Sequence, residues 1–240
     1  MIVVFVTVDL KRVLKISACV LLIVAALLLI IKLTQSKTAD DAAVLNPGYT
    51  LVIDAGHGGI DGGAVSASGV KESDINLDIA LKTEAIADFL GIDTVMTRTD
   101  DRESSGCVPY SEHNDLLHRA ETANSAANGV LISIHQNTFP TPKVAGAEVM
   151  YADTEGSEEF GIITQNNLVS YADPSDRRVA RQAPKELLLT TSVRCPAILV
   201  ECGFLSNPTE AEKLSDDGYQ LKLAAVFAAS FLQFSHNMTI

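Results

Sequence analysis

Two histidines and a glutamate stand at the ends of apolar runs in this 240-residue chain, and with a second glutamate at the start of a helical stretch they are a set with chemistry. His57 follows the run Leu51–Ala55 in "LVIDAGHGG", His135 closes "VLISIH", Glu201 closes "PAILVE", and Glu72 stands just before the cap of a helical stretch. Zinc in hydrolases takes three protein ligands from histidine and carboxylate and leaves a fourth position for water. A further carboxylate then acts as general base, taking the proton of that water and passing it to the leaving amine. His57, Glu72 and His135 suit the ligand role, and Glu201 suits the role of base. For a lone histidine a hydrogen-bonded structural role is the better reading. A carboxylate ending an apolar strand, by contrast, needs a partner or an ion nearby. His113, His118 and His236 fall in a polar loop, on a helix and in the tail, and read as ordinary residues. No HExxH, GxGxxG or GxxxxGK[ST] is present, so the four residues must converge through the fold rather than through local spacing.

The elements that would bring them together alternate along the chain. "YTLVIDAG", "DTVMTR", "VLISIH", "AEVMYA" and "PAILVE" read as five strands. Between them, "SDINLDIALKTEAIADFLG" reads as a helix with Ser73 as N-cap, a stripe of Ile75, Ile79, Ile86 and Leu90, and Gly91 beyond its end. "HNDLLHRAETANSAANG" reads as a helix closed by Gly129, and "SEEFGIITQNNLVSYA" as another. "NPTEAEKL" opens a helix with Asn207 as cap, Pro208 at its first position and Glu210 at its third, and the amphipathic "YQLKLAAVFAASFLQF" closes the chain. Alternating strands and helices predict an α/β single domain, residues 49–236, with a largely parallel sheet covered by helices on both faces. In such sheets ligands bind outside the carboxyl ends of the strands, which is where His57, His135 and Glu201 fall.

The first 48 residues have a different character. Ile16–Ile31 is an uncharged apolar run of 16 residues, about 24 Å of helix, with lysines at both ends that can snorkel. Residues 16–33 therefore read as a transmembrane helix. Lys11, Arg12 and Lys15 before it place residues 1–15 in the cytoplasm and the bulk of the chain outside the cell membrane. A cleaved signal peptide is the alternative. Residues 34–48 are a polar linker. From residue 38 onward the chain has 13 Lys plus Arg against 29 Asp plus Glu, a balance that argues against nucleic acid and anionic lipid as partners. Cys195 and Cys202 lie seven apart on one extended segment, too far to pair, and with Cys19 and Cys107 they make no disulfide framework.

"VIDAGHGGIDGGA", "KESDINLDIA", "TRTDD", "HRAETAN", "SIHQN" and "PAILVECGFLSNPTEAEKL" occur in that order over residues 50–235. Together they resemble the zinc-dependent N-acetylmuramoyl-L-alanine amidases of type 3. The resemblance implies Zn2+ as cofactor, His57, Glu72 and His135 as its ligands and Glu201 as the catalytic glutamate. It also implies peptidoglycan as substrate, cut between N-acetylmuramic acid and the L-alanine of the stem peptide, with cell-wall or spore-cortex remodelling as the role. An anchor, a linker and one domain are similar to the small germination-type members; a protein activator is left unidentified. Gln136 departs from the small residue that many members carry beside the histidine, which bears on substrate preference. Two other readings stay open: a catalytically inactive wall-binding module, and a zinc peptidase acting within the stem peptide.

Overall fold

The computed structural model describes residues 48–238, which form one α/β unit. The expected N-terminal stretch 1–15, the anchor 16–33 and all but the last residue of the linker 34–48 lie outside the described residues. Among those described, no helix is long and apolar enough to cross a membrane.

Six strands are built in: β1 Thr50–Ala55, β2 Thr94–Met96, β3 Gly129–Asn137, β4 Glu148–Tyr151, β5 Arg181–Gln182 and β6 Ala197–Phe204. The helices are α1 Glu72–Phe89, α2 Glu112–Ser125, α3 Ser157–Asn167, α4 Leu188–Ser192, α5 Pro208–Leu214 and α6 Asp217–Met238. The chain leaves α3 through a π-helical turn, Leu168–Ala172. The sheet runs β2-β1-β3-β6-β4-β5. Neighbours β1/β2, β1/β3 and β3/β6 are parallel, as are β4 and β5, and β4 meets β6 antiparallel. The largely parallel sheet is therefore as expected, with the two strands at one edge, β4 and β5, reversed relative to the other four.

Alternation along the strands divides the core. Leu51, Ile53, Ile132, Ile198 and Val200 point to one face and pack with Ile75 and Ile79 of α1, Phe160 of α3, and Phe227, Phe231 and Phe234 of α6. Val52, Leu131 and Ala197 point to the other, against Ala120 and Ala123 of α2 and Leu189 of α4. Burying a phenylalanine fully is worth about 2–3 kcal/mol, so the three on α6 are what fastens that helix to the sheet.

Several local expectations are corrected. Lys71, not Ser73, occupies the N-cap of α1, and Glu72 is the first helical residue. The reason is tertiary: the leading amides of Glu72 and Ser73 donate to the carbonyls of Ala64 and Gly62, so the glycine-rich loop caps the helix. Gly129 does not close α2, which ends at Ser125 with Ala126 as its cap; it opens β3, where a Cβ would stand 2.9 Å from the carbonyl of Ala123. His135 and Glu201 are not terminal either, since β3 continues to Asn137 and β6 to Phe204. The short β5 and α4 were not foreseen. At α5 the expectation holds: Asn207 Oδ1 accepts from the amides of Thr209 and Glu210, with Pro208 in the first turn.

Candidate active site

β1 ends at Ala55, and the amide of Gly56 makes a last ladder-like bond to Ile134 before the chain turns through His57. His57 has φ 60, the left-handed region that a non-glycine residue rarely enters. Gly56 and Gly63 are required by contact. A Cβ on Gly56 would collide with the His135 ring, and one on Gly63 would stand 2.8 Å from both Glu72 and His57. The glycines of "GHGGIDGG" thus let three side chains close on one another.

Those three are the predicted ligands. His57 Nε2 lies 3.2 Å from Glu72 Oε1, and His135 Nδ1 lies 3.1 Å from the same oxygen. The two rings stand edge to face with centroids 5.0 Å apart. One potential ligand atom from each residue falls within 4.8 Å of the other two, a group able to hold a metal ion. Two imidazoles and one carboxylate are a donor set that suits zinc.

Each ligand is itself held. Asp61 Oδ2 lies 2.8 Å from His57 Nδ1, which leaves Nε2 to face Glu72. Glu72 Oε2 accepts from the Ala64 amide, and Oε1 accepts from the Gln136 amide and from Asn76 Nδ2. Asn76 also donates to the Gly56 carbonyl and accepts from Gln136 Nε2. The Gln136 side chain is therefore buried support behind Glu72.

Charge follows this geometry. Burial works against an imidazolium at His57, but the Glu72 and Asp61 carboxylates outweigh it and push the ring up to about 9. Burial likewise opposes ionisation of Glu72, and the two histidines outweigh it, holding the carboxyl well below its usual range.

Glu201 stands beside this cluster, paired in register with His135 across β3 and β6. Its Oε2 is buried and makes no hydrogen bond. Burial pushes its carboxyl up to about 7; His135 opposes the rise, while Glu72 and Glu148 add to it. Glu148 faces Glu201 across the antiparallel β4/β6 ladder and is paired with Arg178 and Arg181. A cleft of about 260 Å³ opens on His57, His135 and Glu201, with Leu116 and Leu188 as apolar wall and Glu186 among its lining residues. All four predicted site residues thus meet in one place. His113 and His118 lie on α2, with His118 Nδ1 hydrogen-bonded to Ser104 at 3.0 Å, and His236 is in the last turn of α6.

The supporting residues escaped the sequence reading. Asp54, 0 % exposed within β1, accepts from Arg119, Thr97 and Ser133. Burial raises its carboxyl, but Arg119 and the two hydroxyls overcome this and bring it down to about 2. Arg98 donates to the carbonyls of Ala55, Gly56 and Ser73. The available signal was Asp54 itself, a charge inside an apolar run, which demands a buried cation or donors.

Comparison with known proteins gives a consistent result. Residues 51–232 match the family described as N-acetylmuramoyl-L-alanine amidase. The germination-specific N-acetylmuramoyl-L-alanine amidase of Bacillus subtilis is 32% identical over 192 residues, covering 78% of this chain and 80% of that protein. The CwlD amidase of Clostridioides difficile, solved in complex with the GerS lipoprotein, superposes with TM-score 0.69 at 32% identity, covering 78% of this chain and 98% of that one. An N-acetylmuramoyl-L-alanine amidase from Clostridium difficile 630 is 36% identical with TM-score 0.66, covering 79% and 97% of the two chains. The profile match spans well over half of the chain and agrees with the fold, so the chain belongs to the N-acetylmuramoyl-L-alanine amidase family.

Proposed function

We propose that this chain is a zinc-dependent peptidoglycan hydrolase, cutting the amide between N-acetylmuramic acid and the L-alanine that begins the stem peptide. The observation that carries the reading is the meeting of His57, Glu72 and His135 within 4.8 Å beside the unpartnered, half-buried Glu201. In this reading the three residues hold the ion, with Asp61 fixing the ring of His57 and the Gln136 and Ala64 amides fixing Glu72. Zinc, when bound, supplies Lewis acidity toward a water and the scissile carbonyl. Glu201 is the general base: its carboxylate, buried beside the ligand cluster with no hydrogen-bond partner at Oε2, takes a proton from the attacking water and returns it to the leaving L-alanine amine. The leucine wall beside the cleft suits the methyl groups of the lactyl and alanyl units that flank that bond.

The same reading places the domain outside the cell, tethered by the apolar segment 16–33, in wall or spore-cortex remodelling. A membrane-associated protein partner belongs to it as well, on the model of the relative solved with a lipoprotein. The test is digestion of purified peptidoglycan by the zinc-loaded full chain, followed by mass spectrometry. Free stem peptides beginning with L-alanine, together with muramic acid lacking peptide, are expected. Fragments cut inside the stem peptide would assign a peptidase instead, and no cleavage by zinc-loaded protein would leave a binding module.

A further inference from the structure

We propose that Arg119 of α2 is a positioning residue for the metal cluster: by gripping the main-chain carbonyl of His57 it keeps that residue in the left-handed conformation that points its ring at Glu72 and His135. The inference rests on the metal-site reading above and adds to it a residue that touches neither ion nor substrate.

The guanidinium is 2 % exposed and its donors are directed at specific acceptors. Nη2 donates to the His57 carbonyl at 2.8 Å, and Nη1 donates to the Ala55 carbonyl and to Asp54 Oδ1, each at 2.7 Å. Nε donates to Asp115 Oδ2 at 2.8 Å. One rigid fork therefore spans the last residue of β1 and the histidine two positions on, where ladder hydrogen bonding has ceased. On its far side the loop is closed by the reciprocal amide bonds of Gly58 and Asp61, so the His57 carbonyl, between the strand end and that closure, is the group left for Arg119. His57 sits at φ 60 between Gly56 and Gly58, and glycine neighbours do nothing to restrict it. A sparsely populated conformation of this kind persists only when its surroundings over-determine it. Arg98 grips the preceding carbonyls of Ala55 and Gly56 and does not reach His57.

An anion-binding role for Arg119 is unsuited to this geometry, because the side chain is enclosed and already neutralised by Asp54 and Asp115. A buried ion cluster is also a poor device for stability alone, since apolar replacement is often neutral or better. The planar fork explains the choice of residue: lysine offers a compact point charge and cannot bridge acceptors on two residues in fixed geometry.

The test uses the full chain and measures zinc affinity by chelator competition, the absorption of the cobalt-substituted protein, and thermal melting. Arg119→Lys is expected to stay folded, to bind zinc roughly 10- to 100-fold more weakly, and to change the cobalt spectrum, as follows when a group that orients a metal ligand is lost. Phe160→Leu, on the opposite face of the sheet, is the comparison: it should lower the melting temperature and leave zinc affinity within about twofold. Wild-type affinity and spectrum in folded Arg119→Lys would overturn the inference, as would an equal affinity loss in Phe160→Leu. Should Arg119→Lys not fold, Arg119→Gln combined with Asp115→Asn removes the charge together with one counter-charge, and the same readings decide. A wild-type chain that takes up no zinc would overturn the metal reading and this inference with it. Zinc binding by wild type with an unaffected variant defeats this inference alone.

Discussion

Glu72 and Glu201 are both carboxylates beside His135, and their surroundings send them in opposite directions. The histidines stabilise charge on Glu72, whereas burial with no hydrogen-bond partner at Oε2 disfavours charge on Glu201. A ligand and a base should therefore separate by mutation. Glu201→Gln is expected to lose roughly 10²- to 10⁴-fold in rate with zinc stoichiometry unchanged. Glu72→Gln should lose zinc and rate together, because a neutral amide is the poorer ligand. Zinc content and muropeptide release measured on both variants check this, and an exchanged pattern would exchange the roles. Asp54 yields a prediction about pH. Its carboxyl is depressed from 3.8 to about 2 in the fold, so the stability it contributes is present above pH 4 and is lost as pH falls through the folded value. A shift of that size is worth about 2 kcal/mol. Urea unfolding of wild type and Asp54→Asn between pH 7 and pH 2 should show a gap that narrows below about pH 4. At this scale the sequence singled out the four residues that the fold brings together, but not those that hold them. Arg119 reads as one more charge on a helix until Asp54, 65 positions away, is placed opposite it.

Elements were legible where the local pattern and the fold agree. β1, β3 and β6 are apolar on both faces because helices cover both, and their runs announce themselves. α5 declares its start in three residues, and that start carries a prediction. Asn207→Ala removes the acceptor for two leading amides and a donor to the Val144 carbonyl, so a loss of about 1–2 kcal/mol is expected, with Asn207→Asp retaining the cap. The shift of the urea midpoint measures it, and an unchanged midpoint would show that the cap is dispensable. Elements were illegible where the partner is distant. α1 needs no serine cap because loop carbonyls satisfy its first amides. Glu210, placed in α5 by the capping pattern, bonds instead to the amides of Phe204 and Gly146 and ties the end of β6 to the segment before β4. β5 is two exposed polar residues that become a strand only by pairing with β4. The reversal of β4 follows from tertiary packing, with no mark in its own four residues.

For the whole molecule, the amide-hydrolysing site and the acidic surface have to work against a fixed, insoluble substrate, and the N-terminal 48 residues bear on how they are delivered there. The net charge from residue 38 onward is −16, so electrostatic attraction does not hold this domain to an anionic membrane surface. In the proposed function the attachment is assigned to the apolar run Ile16–Ile31, slightly short for a bilayer span but flanked by lysines that can snorkel. Under that proposal residues 36–48, about 45 Å when fully extended, are the tether between anchor and domain. A hydrophobic anchor is insensitive to ionic strength, whereas a peripheral, charge-held protein is not. The expected outcome is that the full chain remains in the membrane fraction through a high-salt wash. Protease added outside intact protoplasts should then remove everything beyond the anchor, leaving residues before and within it protected. A soluble product beginning near Lys37 would show instead that the apolar run is cleaved as a signal peptide, and the domain would then act without a tether.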